Sequence, residues 1–232
     1  MARRKQTKGT CAYCDKTLTK AGMTRHLVSC ARRKEAIATA NSGKGTKAKG
    51  KAQTIYHLRV QNAYDSSFWL NIEMAGSRTL GDLDHYLRGI WLECCGHMSD
   101  FYLGGAFSHE IAMTKSIRAT FGSAAEITHV YDFGTSSKTL VKVVDTREGK
   151  PITKHPVALL CRNHSPEIEC IECDKSATHF CIECMYEDGT FGALCAEHAE
   201  DHPHDDYGEP VPLLNSPRVG MCGYSGPAEP PY

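Results

Sequence analysis

"RTLGDLDHYLRGIWLECC", residues 78–95, decides the fold class. Leu80, Leu83, Leu87, Ile90, Trp91 and Cys94 recur at helical spacing, which gathers them on one face of an α-helix. Thr79, with Asp82 three residues on, has the form of a capping box that opens a helix. Around this helix the apolar period changes to two. "TIYHLRVQ" (54–61) and "SFWLNIEM" (67–74) alternate as half-buried strands do. "DFYLGG" (100–105) reads as another strand, and "ITHVYDFGTSSKTLVKVVDT" (127–146) as a strand, a Gly-containing turn and a returning strand. Strands combined with one strong helix predict an α+β domain over residues 54–160, a central mixed sheet with the amphipathic helix packed on one face. Trp69, Trp91 and Phe101 are expected in its core. Cys94 and Cys95 read as a buried thiol and its neighbour rather than a reactive pair.

"YHLRVQ" (56–61), "RTLGDLDHYLRGIW" (78–91), "DFYLGG" and above all "YDFG" at Tyr131–Gly134 resemble the plasmid pRiA4b ORF-3-like family. The resemblance covers residues 54–160. It implies an α+β fold and an association with plasmids and transposable elements, and it brings no catalytic activity with it. Where that family's motif continues with an Asp and an aromatic residue, this chain has Thr135, Ser136 and Ser137.

The formal net charge of zero hides a division. Residues 1–53 carry 14 Lys and Arg against Asp15 and Glu35, so the remainder is acidic by the same margin. A basic end on an acidic body predicts different partners for the two ends. The basic start leads into no apolar stretch of the secretory kind, and no run approaches the about 20 residues that span a bilayer. A reducing, cytoplasmic setting is therefore expected, in which twelve cysteines are poorly explained as disulfides. Most of them cluster near the two ends with His at short spacing, which points to metal.

Residues 1–34 hold Cys11-x2-Cys14-x11-His26-x3-Cys30. Four soft or borderline ligands in that frame meet the tetrahedral demand of Zn²⁺. Leu18, Met23 and Leu27 stand where a ββα finger keeps its small core, and His26 and Cys30 share one helix face. Arg3, Arg4, Lys5, Lys16, Lys20, Arg25, Arg32, Arg33 and Lys34 surround this finger and are expected to hold DNA or RNA by its phosphates. Base reading is not expected, because the positions that reach bases fall at about Thr19, Gly22 and Arg25, and Gly22 has no side chain. Residues 35–53, rich in Lys, Gly, Ala, Ser and Thr without apolar period, read as a flexible basic linker.

Residues 161–232 form a Cys/His-rich two-zinc domain and tail. Its ligand candidates are Cys170, Cys173, Cys181, Cys184, Cys195, His198, His202 and His204. Eight ligands in four pairs suit two tetrahedral ions, making about three Zn²⁺ per chain with the finger. Two wirings fit the order. In the sequential one, Cys170, Cys173, Cys181 and Cys184 share an ion; in the cross-braced one, Cys170 and Cys173 join Cys195 and His198. The order and spacing resemble B-box-type zinc domains, and that resemblance implies the cross-braced wiring. The ten-residue gap before Cys195 is longer than in a B-box, and Cys222, Cys161 or His164 stand as substitutes for one of the histidines.

Enzymatic readings fit less well. No thioredoxin-like setting surrounds the C-x-x-C pairs, and "HAE" (198–200) follows the Cys pairs instead of preceding them, unlike a zinc deaminase. The sequence therefore favours a zinc-binding, non-enzymatic interaction protein. Nucleic acid would meet its N-terminus, and a protein partner its acidic body and C-terminal zinc domain. The alternative is a zinc- or thiol-dependent enzyme acting on a nucleotide or nucleic-acid substrate.

Overall fold

From its N-terminus the chain forms a small hairpin, β1 (Lys8–Thr10) and β2 (Thr17–Thr19), followed by α1 (Lys20–Ser29) and α2 (Ala31–Ser42). The central domain continues as β3 (Gln53–Asn62), β4 (Trp69–Ala75), α3 (Leu80–Leu87), β5 (Ser99–Leu103), β6 (His109–Ile111), α4 (Ile117–Phe121), β7 (Glu126–Tyr131), β8 (Ser137–Gly149) and β9 (Val157–Arg162). The C-terminal part carries β10 (His179–Phe180), α5 (Ile182–Tyr186), β11 (Ala193–Leu194), α6 (Ala196–Glu200) and β12 (Val211–Pro212). This computed structural model describes residues 6–43, 51–204 and 206–232.

The fold is α+β, built on a seven-stranded sheet in the order β6-β5-β7-β8-β3-β4-β9. Every described pairing in it is antiparallel, so the sheet is not mixed in direction as the sequence suggested. Alternation along β3 and β4 divides its residues between two faces. Tyr56, Leu58, Val60, Leu70, Ile72 and Met74 pack in one cluster with Leu80, Leu83, Leu87 and Trp91 of the helical segment. Thr79 and Asp82 form the capping box, each side chain accepting from the other's backbone N–H. After Leu87 the helix widens into a π-helical turn, Arg88–Leu92, which buries Ile90, Trp91 and Leu92 in succession.

The opposite face of β3 and β4 carries His57, Asn71 and Glu73 beside Trp69 and is covered by the N-terminal unit. Thr24 of α1 donates to Asn71 Oδ1, as does His57 Nε2 at 2.9 Å. Burial holds His57 neutral, with its pKa drawn down to about 4. Glu73, almost fully buried, accepts from Arg33 at 2.8 Å and from Arg147. Trp69 enters a second cluster with Cys11, Met23, Leu27, Cys30 and Leu160, and its indole N–H donates to Thr7.

The hairpin also closes the open edge of the sheet. Ala12 N–H donates to Leu160 O, His164 N–H donates to Lys8 O, and Gly9 bridges Asn163. A Cβ on Gly9 would stand 2.3 Å from Arg162 O, so only glycine permits this approach. An edge strand left bare invites unwanted pairing, and here β9 is capped by the finger.

One expectation is corrected on this face. Residues 35–42 are helical rather than a flexible linker, and the helix stops at Gly43, whose φ of 72° is the left-handed stop. Its docking contacts are polar, Arg33 to Glu73 and the backbone of Lys150 donating to Asn41, so no apolar period announced it. Residues 44–50 of that segment lie outside the described residues.

Beyond the C-terminal Cys/His unit the chain returns over the central domain. Ser216 Oγ donates to Trp91 O, Arg162 donates to Ala228 O and Asn215 O, and Tyr232 stacks on His155. Among the described residues no helix is long and apolar enough to cross a membrane.

Candidate metal centres

Tetrahedral coordination with sulfur at about 2.3 Å and nitrogen at about 2.0–2.1 Å sets S···S edges near 3.8 Å and S···N edges near 3.6 Å. Among the described residues, four groups of Cys and His place their ligand atoms within 4.8 Å of one another and could each hold a metal ion. Each of the twelve cysteines is a free thiol.

The first group is Cys11, Cys14, His26 and Cys30. The loop after β1 turns sharply at Asp15, whose φ is 58°, and this aims both sulfurs at α1. His26 faces them from the last turn of α1, with Nε2 at 3.1 Å from Cys14 Sγ. Cys30 ends α1 and begins α2, so one ligand fixes two helices. Met23 and Leu27 are buried beneath, and Leu18 packs against them. Burial pushes the Cys11 thiol up to about 11, whereas the Lys16 backbone N–H lowers that of Cys14.

In the C-terminal unit the structure brings Cys170 and Cys173 to Cys195 and His198, and Cys181 and Cys184 to His202 and His204. This is the cross-braced arrangement. In the first of these groups Cys173 and Cys195 sulfurs are 3.9 Å apart, and His198 Nδ1 lies 3.3 Å from Cys170 and 3.6 Å from Cys195. In the second, Cys184 Sγ is 3.2 Å from His202 Nε2 and 3.3 Å from His204 Nδ1. These separations suit tetrahedral edges. Backbone N–H groups donate back to sulfur within each pair, Glu172 to Cys170 and Cys184 to Cys181. Burial opposes ionisation of Cys170, but N–H groups of Cys195 and Glu172 and the His198 ring outweigh it and draw the thiol down to about 6. Burial and the neighbouring Cys181 push Cys184 up to about 12. Gly192 is where the backbone of one arm crosses the second group, since a Cβ there would stand 2.5 Å from Cys181 O.

The substitutes considered for the histidines lie elsewhere. Cys161 is buried against the finger, where burial pushes its thiol up to about 12, and His164 Nε2 is 2.9 Å from Thr10 Oγ1. Cys222 belongs to the fourth group, with Cys94, Cys95 and His97. The expectation for Cys94 and Cys95 is therefore corrected: Cys94 is half-buried, Cys95 is exposed, and both face two further ligands. The sequence signal was a Cys-Cys-x-His run at the end of the helix, and its partner lies more than 120 residues on.

The basic residues separate into two sets. Lys16, Arg25, Arg32 and Lys34 are exposed, with Arg32 paired to Glu35. Arg33 is buried on Glu73, and Lys20 donates to Gln61 Oε1 and Ser66 O, so neither is free for a phosphate as expected. Their spacing along the chain resembled the others, but their sides of the helices face the sheet. Arg3, Arg4 and Lys5 lie outside the described residues.

No family model matches this chain, and no curated protein does. Among solved structures, a protein of unknown function, MM3350 from Methanosarcina mazei Go1, is similar at 15% identity, covering 47% of this chain and 67% of that chain with a TM-score of 0.39.

Proposed function

We propose that this chain is a zinc-stabilised, non-enzymatic interaction protein that holds nucleic acid by its phosphates through the exposed side of the N-terminal finger. The identity of the ion rests on the ligand chemistry. Thiolate and imidazole in closed sets of four suit Zn²⁺, and four protein ligands leave no open position for a substrate or an activated water.

The observation that carries the nucleic-acid reading is the exposure of Lys16, Arg25, Arg32 and Lys34 on a finger whose other face is anchored to the sheet. An acidic body leaves this end as the place where a polyanion meets least repulsion. On the same proposal the central domain is of the pRiA4b ORF-3-like kind, serving a plasmid or mobile element in the cytoplasm, and the acidic body and C-terminal unit meet a protein partner. Support for the family reading is the "YDFG" turn, where Asp132 accepts from the Gly134 and Thr135 N–H groups.

Deleting residues 1–53 would uncover β9 and Trp69, so charge reversal is the cleaner test. A full-length variant with Lys16, Arg25, Arg32 and Lys34 each changed to Glu should bind duplex DNA or RNA about tenfold or more weakly at low salt. Its log-affinity against log-salt slope should flatten by up to about 3.6, roughly 0.9 for each lost phosphate contact. Equal binding by variant and parent, or no binding by the parent at low salt, would remove this half of the proposal.

A further inference from the structure

We infer that Cys94, Cys95, His97 and Cys222 form a fourth metal centre, specific for a thiophilic d10 divalent ion of the Zn²⁺ class, which clasps the C-terminal tail to the central domain. It goes beyond the three centres expected from spacing and rests on the same zinc chemistry.

The four ligand atoms lie within 4.8 Å of one another, close enough to share one ion. Cys94 and Cys95 sulfurs are 3.7 Å apart, as are those of Cys95 and Cys222. His97 Nε2 lies 3.1 Å from Cys95 Sγ and 3.3 Å from Cys222 Sγ. The S···S separations match the edge of about 3.8 Å of a four-coordinate zinc, and the S···N ones need to open by only a few tenths of an ångström to reach about 3.6 Å.

The backbone at Cys222 is an independent observation. Its φ of 51° and ψ of 37° are left-handed, a conformation that a residue with a Cβ adopts only at a steric cost. Gly220 and Gly223 on either side take the same region without strain, yet position 222 is a cysteine. A residue held there at a cost has a side chain that is needed, and this turn aims its sulfur at Cys95 and His97.

The surroundings suit the charge. Three thiolates and a neutral imidazole around a divalent ion sum to minus one. Arg218, fully buried, donates to Cys94 Sγ at 3.5 Å and to Asp132 at 2.6 Å, and Asp132 Oδ2 lies 3.5 Å from His97 Nε2. The guanidinium thus lies between the sulfur cluster and a carboxylate, stabilising both. The clasp sits at a three-way junction. Arg218 ties the tail to Thr135 and Ser137 of the central domain, while Gly220 packs on Phe180, and Cys222 N–H meets Tyr186 Oη, both of the C-terminal unit. Closing it fixes the two-zinc unit against the sheet. Its exposed Cys95 and Cys222 also make it the centre that a chelator reaches first.

Native mass spectrometry of the full-length protein, purified with zinc under reducing conditions, tests this. The parent should carry four zinc ions per chain, and Cys222→Ser and Cys222→Gly should each carry three. The glycine variant relaxes the backbone while removing only the ligand, so a folded protein is retained. A brief chelator challenge should take the parent from four ions to three before any further loss. Three ions in parent and variants alike, four in the variants, or a Cys95–Cys222 disulfide in the parent would overturn the clasp. No metal at all would overturn the zinc reading itself.

Discussion

Replacing Glu73 by alanine should destabilise the fold by about 3–5 kcal/mol, the range for removing one partner of a buried ion pair. The side chain of Glu73 is 2% exposed and that of Arg33 5%, so neither charge has water to fall back on. Arg147 shares the same carboxylate from β8. Without Glu73, two guanidinium groups would be left between the sheet and α2. The loss should appear as a lower midpoint in urea unfolding and as early exposure of Trp69, whose indole lies at the same interface. Glu73→Gln should also destabilise, since an amide fills the space without the charge. A change under about 1 kcal/mol in Glu73→Ala would show that the finger and α2 are held by something other than this carboxylate.

The second large effect concerns metal removal. In the C-terminal unit the strands β10, β11 and β12 are two residues long each, and α5 and α6 are five residues each. Cys170, Cys181, Cys184, Leu194 and Cys195 make up its small cluster, four of the five being cysteines, with Phe180 and Ala193 the other fully buried apolar residues of its strands. So little apolar burial cannot offset the ordering of the chain. Structural zinc contributes roughly 10–16 kcal/mol of binding free energy, which here is folding free energy. Cys181→Ser, or chelation of the parent, should therefore abolish amide-exchange protection across residues 170–204. β3 and β4 should keep theirs, because their core is the separate cluster around α3. Unchanged protection across 170–204 after the metal is stripped would mean that the unit folds without it.

What the sequence disclosed follows from the range over which each signal acts. The helix at Leu80–Leu87 was legible because its capping box and apolar stripe are local. The finger ligands were legible because Cys11 and Cys14 form a knuckle and His26 and Cys30 sit one helical turn apart. The eight C-terminal ligands were legible as a set, while their wiring depends on which loop crosses which, and pairwise spacing does not encode that. Helix α2 was missed because its docking side presents Arg33 and Asn41 rather than an apolar stripe. Arg33 looked like one more surface charge because its carboxylate partner is 40 residues away on β4. Cys222 read as a substitute for one of the C-terminal histidines because its partners, Cys94, Cys95 and His97, follow a helix more than 120 residues earlier in the chain. Sheet order was also beyond reach, since β9 lies next to β4 and β3 next to β8, pairings that bridge long intervals.

On this reading the Cys/His groups are metal centres rather than clustered thiols. Diffraction from crystals of the protein on either side of the zinc absorption edge distinguishes the two. Anomalous peaks are expected at the centroids of Cys11/Cys14/His26/Cys30, Cys170/Cys173/Cys195/His198 and Cys181/Cys184/His202/His204, with a fourth at Cys94/Cys95/His97/Cys222. Disulfides joining these cysteines, with no peak at the zinc edge, would contradict it.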